Sequence, residues 1–192
     1  MATDKQSSID SKKCVTSEFR LSFPALIKPR AFEDQEPKYS LTMLFPKSAD
    51  LSKLKKAAFN AATEKWGPRE KWPKNLRMPF RDGDSDRSET EGYAGHFFVA
   101  ASSKNQPGIV GPTLQPILNE REIYAGCYCR AEVIAFAYDK AGNKGVSFSL
   151  QNVQKLRDGD SFSGRKDASE VFDAVEDTSD NAASYADADL GF

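Results

Sequence analysis

The chain has 192 residues, with 27 basic against 28 acidic groups, and aromatic side chains make up 11% of it. No run approaches the roughly 20 apolar residues that cross a bilayer, Met1 to Lys13 is too polar for a secretory leader, and three Cys, an odd number, do not make a disulfide framework and fit a reducing compartment. These features exclude a membrane-spanning or disulfide-stapled class and lead to the expectation of one packed domain in a cytoplasm, its core supplied by thirteen Phe, six Tyr and two Trp.

Residues 1–15 are expected as a flexible polar arm. Phe19-Arg20-Leu21-Ser22-Phe23 then alternates apolar and polar with period two, the mark of a half-buried strand, and Pro24 is expected to stop it. Tyr39 to Phe45 alternates again between Pro37 and Pro46, with Lys28-Pro29-Arg30 and Glu33 to Glu36 expected in an exposed loop between the two. Ser48 or Asp50 can cap a helix whose Leu51, Leu54, Ala58, Ala61 and Ala62 form one face and which ends before Gly67-Pro68. From Gly67 to Gly92 the chain is rich in Pro, Gly and charge, a long loop of the kind that is functional or mobile.

Gly95 to Ser102 is expected as the next strand and Ile109-Val110 as a short one. Gly126 to Tyr138 forms a long strand with two unlike faces: Cys127, Cys129, Ala131, Val133, Ala135 and Ala137 on one, Tyr128, Arg130, Glu132, Ile134, Phe136 and Tyr138 on the other. Asp139 to Asn143 turns the chain, and Lys144 to Val153 returns with Val146, Phe148 and Leu150 on one side. The last 26 residues, Asp167 to Phe192, hold eight carboxylates and no Lys or Arg, so the first 166 carry 27 basic against 20 acidic groups, a net charge of +7. The division is an arm over 1–15, a domain over 16–166 and a disordered acidic tail over 167–192.

The pattern is all-β with one main helix. A five-stranded OB-type barrel, whose outer groove binds oligonucleotides or sugars, fits it, and so do SH3-like barrels and other α+β sheets. Single-stranded nucleic acid is held by cations along its backbone and by rings stacked on its bases. Both ingredients occur together: the rings of Tyr39, Phe97, Tyr128 and Phe136 are the expected stacking groups, and Lys38, Lys104, Arg130 and Lys144 the expected phosphate neutralisers. Most aromatics are buried, so a single Phe is first assigned to the core; Tyr128 and Arg130 are favoured because the other face of their strand already supplies small core residues. In the tail, Asp187, Asp189 and the terminal Phe192 imitate phosphates and a base, and so can compete for the same groove.

Several blocks together resemble a phage and prophage family, formerly of unknown function, related to the single-stranded DNA-binding protein of T7-like phages. They include Glu36-Pro37-Lys38-Tyr39-Ser40-Leu41, Arg81-Asp82-Gly83-Asp84, Tyr93-Ala94-Gly95-His96-Phe97-Phe98, Gln106-Pro107-Gly108-Ile109-Val110, Tyr124-Ala125-Gly126-Cys127-Tyr128, Asn143-Lys144-Gly145-Val146 and Leu150 to Lys155. The resemblance covers about residues 17 to 165. It implies an OB fold, sequence-independent binding of single-stranded DNA in phage replication or recombination, no cofactor, and a tail that competes with DNA and docks partners such as a phage DNA polymerase, helicase-primase or recombinase. Oligomeric state, a homodimer included, is left open.

Rival chemistries are weaker. A metal-dependent nuclease would use Asp82, Asp84 and Asp86 to gather a divalent cation, but the loop has Arg87 and Tyr93 where an EF-hand needs Gly and Glu. Gly159 to Gly164 matches a serine nucleophile segment poorly, and Cys127-Tyr128-Cys129 lacks the spacing of a zinc site. Neither a catalytic nor a metal-binding residue is assigned. A protein–protein module without nucleic acid remains as the other alternative.

Overall fold

Period-two alternation places the core of this protein, and the computed structural model describes residues 2–31, 36–140, 142–162, 171 and 173 of it. The elements in chain order are α1 (Ala2–Lys12), β1 (Lys13–Val15), β2 (Phe19–Arg30), β3 (Lys38–Pro46), α2 (Ser52–Trp66), β4 (Arg81–Asp82), α3 (Gly83–Asp86), β5 (His96–Ser103), β6 (Gly108–Val110), β7 (Tyr128–Lys140) and β8 (Asn143–Arg157). β2 pairs antiparallel with β3, β3 antiparallel with β5, β5 parallel with β8, β8 antiparallel with β7, and β7 antiparallel with the start of β2. Five strands thus close on one another in the pairing of an OB barrel, which removes the main open edges. β1, β4 and β6 lengthen the sheet on β7, β5 and β8.

The two faces of β7 fall as its alternation predicts. Cys129, Ala131, Val133 and Ala135 are buried, while Arg130 and Phe136 are exposed and Tyr128, Glu132, Ile134 and Tyr138 half-buried. Facing them inside the barrel are Leu21, Leu41, Met43, Val99, Phe148 and Leu150, each worth roughly 1.5–3 kcal/mol of burial where fully enclosed. α2 closes one end of this core with Leu54, Ala57, Ala58, Ala61 and Ala62. Its start is held by Asp50, whose carboxylate accepts the Ser52 N–H at 2.8 Å and is thereby kept below the usual carboxylate range.

Three expectations are corrected. Pro24 does not stop the first strand: β2 continues to Arg30, through Pro24 and Pro29. Ser22 pairs with Thr42 and Ala25 with Ser40, so Phe23 and Pro24 together stand opposite Leu41, a β-bulge. A bulge leaves one residue outside the ladder, so the N–H that proline lacks is not missed. The described residues of the expected arm are not free either. Lys12 pairs with Glu64 at 2.6 Å, Ser8 donates to the same carboxylate at 2.8 Å, and Asn60 donates to the Ser11 carbonyl at 2.7 Å, so α1 is held to α2 by polar contacts. β1 adds backbone pairing to β7, with Lys13 2.7 Å from Glu132. The long loop after Gly67 is also more ordered than expected, since it contains a 3-10 turn at Arg69–Lys71, β4 and α3. The acidic-tail residues Asp187, Asp189 and Phe192 lie outside the described residues.

Candidate nucleic-acid interface

The bulge in β2 lifts Phe23 out of the sheet. Its φ of +45° lies in the left-handed region, which costs a non-glycine residue roughly 1–2 kcal/mol, and the residue remains 49% exposed. An exposed aromatic side chain held in a strained backbone on the outer face of a barrel is the kind of feature that function maintains. The ring stands between two clefts, and Phe23 and Arg30 line both.

The two clefts differ in charge. One, of about 630 Å³, has an apolar floor that includes Leu26, Ile27 and Ile123, and carries Glu89, Glu91 and Glu120. The other, of about 380 Å³, is lined by Ser40, Thr42 and Ser102 on the outer face of β3 and β5, and its charged groups are Arg30 and Arg87. A phosphate chain is repelled by the first and attracted by the second, whereas the flat face of a base suits the apolar floor. The β2–β3 ladder resumes at Arg30 opposite Lys38, which carries the cationic line onward.

At that end of the barrel the structure brings several expected residues together. Tyr39 pairs with Ser103, next to Lys104, and Lys104 forms an ion pair with Glu36. The hydrogen bond from Lys104 is the main cause holding the Glu36 carboxyl below its usual range, with the charges of Lys104, Lys38 and Lys140 adding to it. Lys38, Lys104 and the β7–β8 hairpin therefore surround one carboxylate. Lys144 lies near the tip of the same hairpin, opposite Asp139 and 3.2 Å from its carboxylate.

The other expected residues lie elsewhere. Tyr128 is covered by guanidinium groups: the Arg157 Cζ lies 3.3 Å from its ring centroid and the Arg20 Cζ 5.4 Å. A base can stack there only by displacing one of them, against a cation–π contact of about 0.5–2 kcal/mol. Arg130 donates to Gln154 at 2.8 Å beside β1 and β6. Phe136 is 43% exposed but lies against α1 and α2. Phe97 shares the side of β5 that carries Val99 and Ala101 and packs on the main core, with Lys47 5.6 Å from its centroid.

A strap formed by residues 158–162 crosses the outer face. Arg20 donates to the Asp160 carbonyl at 2.7 Å and lies 4.4 Å from the Phe162 ring centroid, while the Phe162 N–H donates to the Ala125 carbonyl at 3.1 Å. Gly126, at φ +111°, admits this strap, since a Cβ there would lie 2.0 Å from the Asp160 oxygen. Tyr124 donates to Asp158 at 2.9 Å, and burial first of all, with Asp158 adding, pushes its phenol up to about 12. Phe162 packs on Leu44, Tyr93 and Phe98 and reaches the larger cleft, so the chain leaves toward the acidic tail beside Phe23's groove.

Phe23, Arg30 and Arg87 went unrecognised in the sequence. The only local signal was Phe-Pro in mid-strand, which marks a bulge as readily as an end. The aspartates of the nuclease reading are already occupied. Lys47 pairs with both Asp82, at 3.1 Å, and Asp84; Asp84 also accepts the Gly95 N–H at 2.7 Å, and Asp86 is held by Arg81 at 2.9 Å. Among the described residues no three His, Cys, Asp or Glu side chains gather as metal ligands. Cys127 and Cys129 place their Sγ atoms 3.6 Å apart in the core, where the neighbouring thiol and burial raise the Cys129 pKa. No helix among the described residues is long and apolar enough to cross a membrane.

Known proteins resemble this chain. Protein p50 of Acyrthosiphon pisum secondary endosymbiont phage 1 is 39% identical over 166 residues, covering 80% of this chain and 89% of that protein. The single-stranded DNA-binding protein from bacteriophage Enc34, solved in complex with single-stranded DNA, superposes with a TM-score of 0.69 at 25% identity, over 79% of this chain and 90% of that one. The fold alone is shared with gp2.5, a single-stranded DNA-binding protein encoded by bacteriophage T7, at a TM-score of 0.56 and 14% identity over 81% of this chain and 97% of that one. The model of the Enterobacter phage Enc34 single-stranded DNA-binding protein family matches residues 12–183, and the chain belongs to that family.

Proposed function

We propose that this protein binds single-stranded DNA without reading its sequence, protects and organises it during phage replication or recombination, and catalyses no reaction. The observation that carries this reading is Phe23, raised on its bulge between an apolar cleft and a cationic one. Bases stack on Phe23 and enter the apolar side; phosphates follow Arg87, Arg30, Lys38 and Lys104 toward the hairpin with Lys144, with Tyr39 at that end. Tyr128 and Arg130 contribute once Arg157 or Arg20 yields the Tyr128 ring. Phe97 and Phe136 have no part in this path.

The tail acts as a competitor and a docking segment. Its 26 residues hold eight carboxylates and no Lys or Arg, and the strap that precedes it lies beside the groove. Asp187, Asp189 and Phe192 occupy the groove until DNA or a replication protein, such as a phage polymerase, helicase-primase or recombinase, displaces them in the host cytoplasm. The test titrates fluorescent single-stranded and duplex oligonucleotides of mixed and uniform sequence at several salt concentrations, with Mg²⁺ present. Tight binding to every single strand, a steep fall with salt and intact oligonucleotides are expected. Indifference to oligothymidylate in dilute buffer, or cleavage, refutes the proposal.

A further inference from the structure

The positive charge of the body is not centred on the groove. Residues 53–77, which span α2 and the turn after it, contain eight Lys and Arg against only Glu64 and Glu70. Elsewhere, apart from the groove cations Arg30, Lys38 and Arg87, many cations are neutralised: Lys13, Lys47, Arg81, Lys104, Lys144, Lys155 and Arg157 all sit in ion pairs. Among the described residues none of the eight forms one. Like charges one turn apart on a helix destabilise it, so a bare lysine face is a standing cost that an anionic ligand would remove.

Rings are interleaved with these cations. Phe59 is 44% exposed and lies three and four residues after Lys56 and Lys55, on the same face of α2. Its ring centroid is 5.1 Å from that of Trp72, and Lys65 sits 5.8 Å from the Trp66 ring. A bare cationic strip with the exposed Phe59 ring beside the half-buried Trp72 has the composition of a single-strand track. It belongs to the element that packs on β1, β7 and β8, whereas the groove lies on the outer face of β2, β3 and β5.

We infer that Lys55, Lys56, Phe59, Lys71 and Trp72 form a second contact surface for single-stranded DNA, which extends the bound strand beyond the groove. The inference rests on the proposed single-strand binding and adds to it a division of labour: the groove captures a short strand, and the helix strip holds its continuation. A partner protein with an acidic segment is the other occupant that charge alone would allow; the rings favour nucleic acid.

Both tryptophans of the chain, Trp66 and Trp72, belong to this region, so their fluorescence reports on it directly. The experiment compares the full chain with its Lys55→Gln/Lys56→Gln and Phe59→Ala variants on oligothymidylates of about eight and about thirty-five nucleotides, the first within and the second well above the roughly 4–16 nucleotides of one OB site. Thermal melting checks that each variant is folded. The long strand is expected to quench the tryptophans and the short one to leave them bright. The double lysine variant should bind the short strand within about twofold of the parent, while its log-affinity versus log-salt slope on the long strand falls by about 1.4, roughly 0.7 for each phosphate contact removed. Phe59→Ala should weaken only the long strand. Unchanged quenching and slope on the long strand, equal losses on both strands, or tighter long-strand binding, as expected if the strip holds an acidic segment instead, each overturn the inference. Failure of the parent chain to bind even the short strand would overturn the groove reading itself, and is thereby distinguished.

Discussion

Replacing Phe23 separates what this residue does for the fold from what it does for the ligand. The residue is 49% exposed and its ring touches mainly Tyr93, at 6.4 Å between centroids. A fully buried Phe→Ala change costs about 3–5 kcal/mol, so this half-exposed one should cost about 1.5–2.5 kcal/mol. Phe23→Ala keeps the left-handed backbone and its strain; Phe23→Gly relieves about 1–2 kcal/mol of that strain and loses about 0.5–1 kcal/mol to unfolded-chain entropy. The glycine variant should therefore be the more stable of the two by about 0.5–1 kcal/mol, roughly 1–4 °C in melting temperature for a chain of this size. Both should lose the same affinity for oligothymidylate, about 1–3 kcal/mol for a lost stack, which is about 5- to 150-fold. Calorimetric melting and fluorescence anisotropy measure the two quantities. A glycine variant less stable than the alanine one would refute the strain argument, and full affinity in a folded variant would refute the stacking role.

Gly126→Ala sets a Cβ against the Asp160 carbonyl at a φ of +111°, so it should dislodge the strap, destabilise by about 2 kcal/mol or more, and speed hydrogen exchange at the Phe162 amide; a normal melt with a protected amide would count against the close approach. Tyr124 should titrate late, near 12. Because burial raises its folded pKa, its contribution is fully present below the unfolded value of about 10 and is lost as pH climbs toward about 12; ultraviolet titration should show a late phenolate step that Tyr124→Phe abolishes. Ending the chain after Lys166 should tighten binding at low salt, where the acidic residues compete best, and unchanged or weaker affinity in the titration would exclude autoinhibition.

The sequence by itself determined most of the main strands, their inward faces and the main helix. These follow from local rules: side chains alternate across a strand, so the small row from Cys127 to Ala135 had to lie opposite Tyr128 and Arg130, and Ser48 or Asp50 with Gly67 bracketed α2. The course of β2 and the fate of residues 1–15 were not legible, because their partners lie far along the chain: Thr42 and Ser40 carry the ladder across the Phe23–Pro24 bulge, and Glu64 and Glu132 hold α1 and β1. The same limit governed the site. Lys38, Tyr39 and Lys104 could be chosen from composition, but only the barrel's closure decided that Phe97 faces the core, that two guanidiniums cover Tyr128, and that Phe23 stands exposed between two clefts. Ring and charge are properties of a residue, whereas exposure and pairing belong to whatever the fold brings beside it.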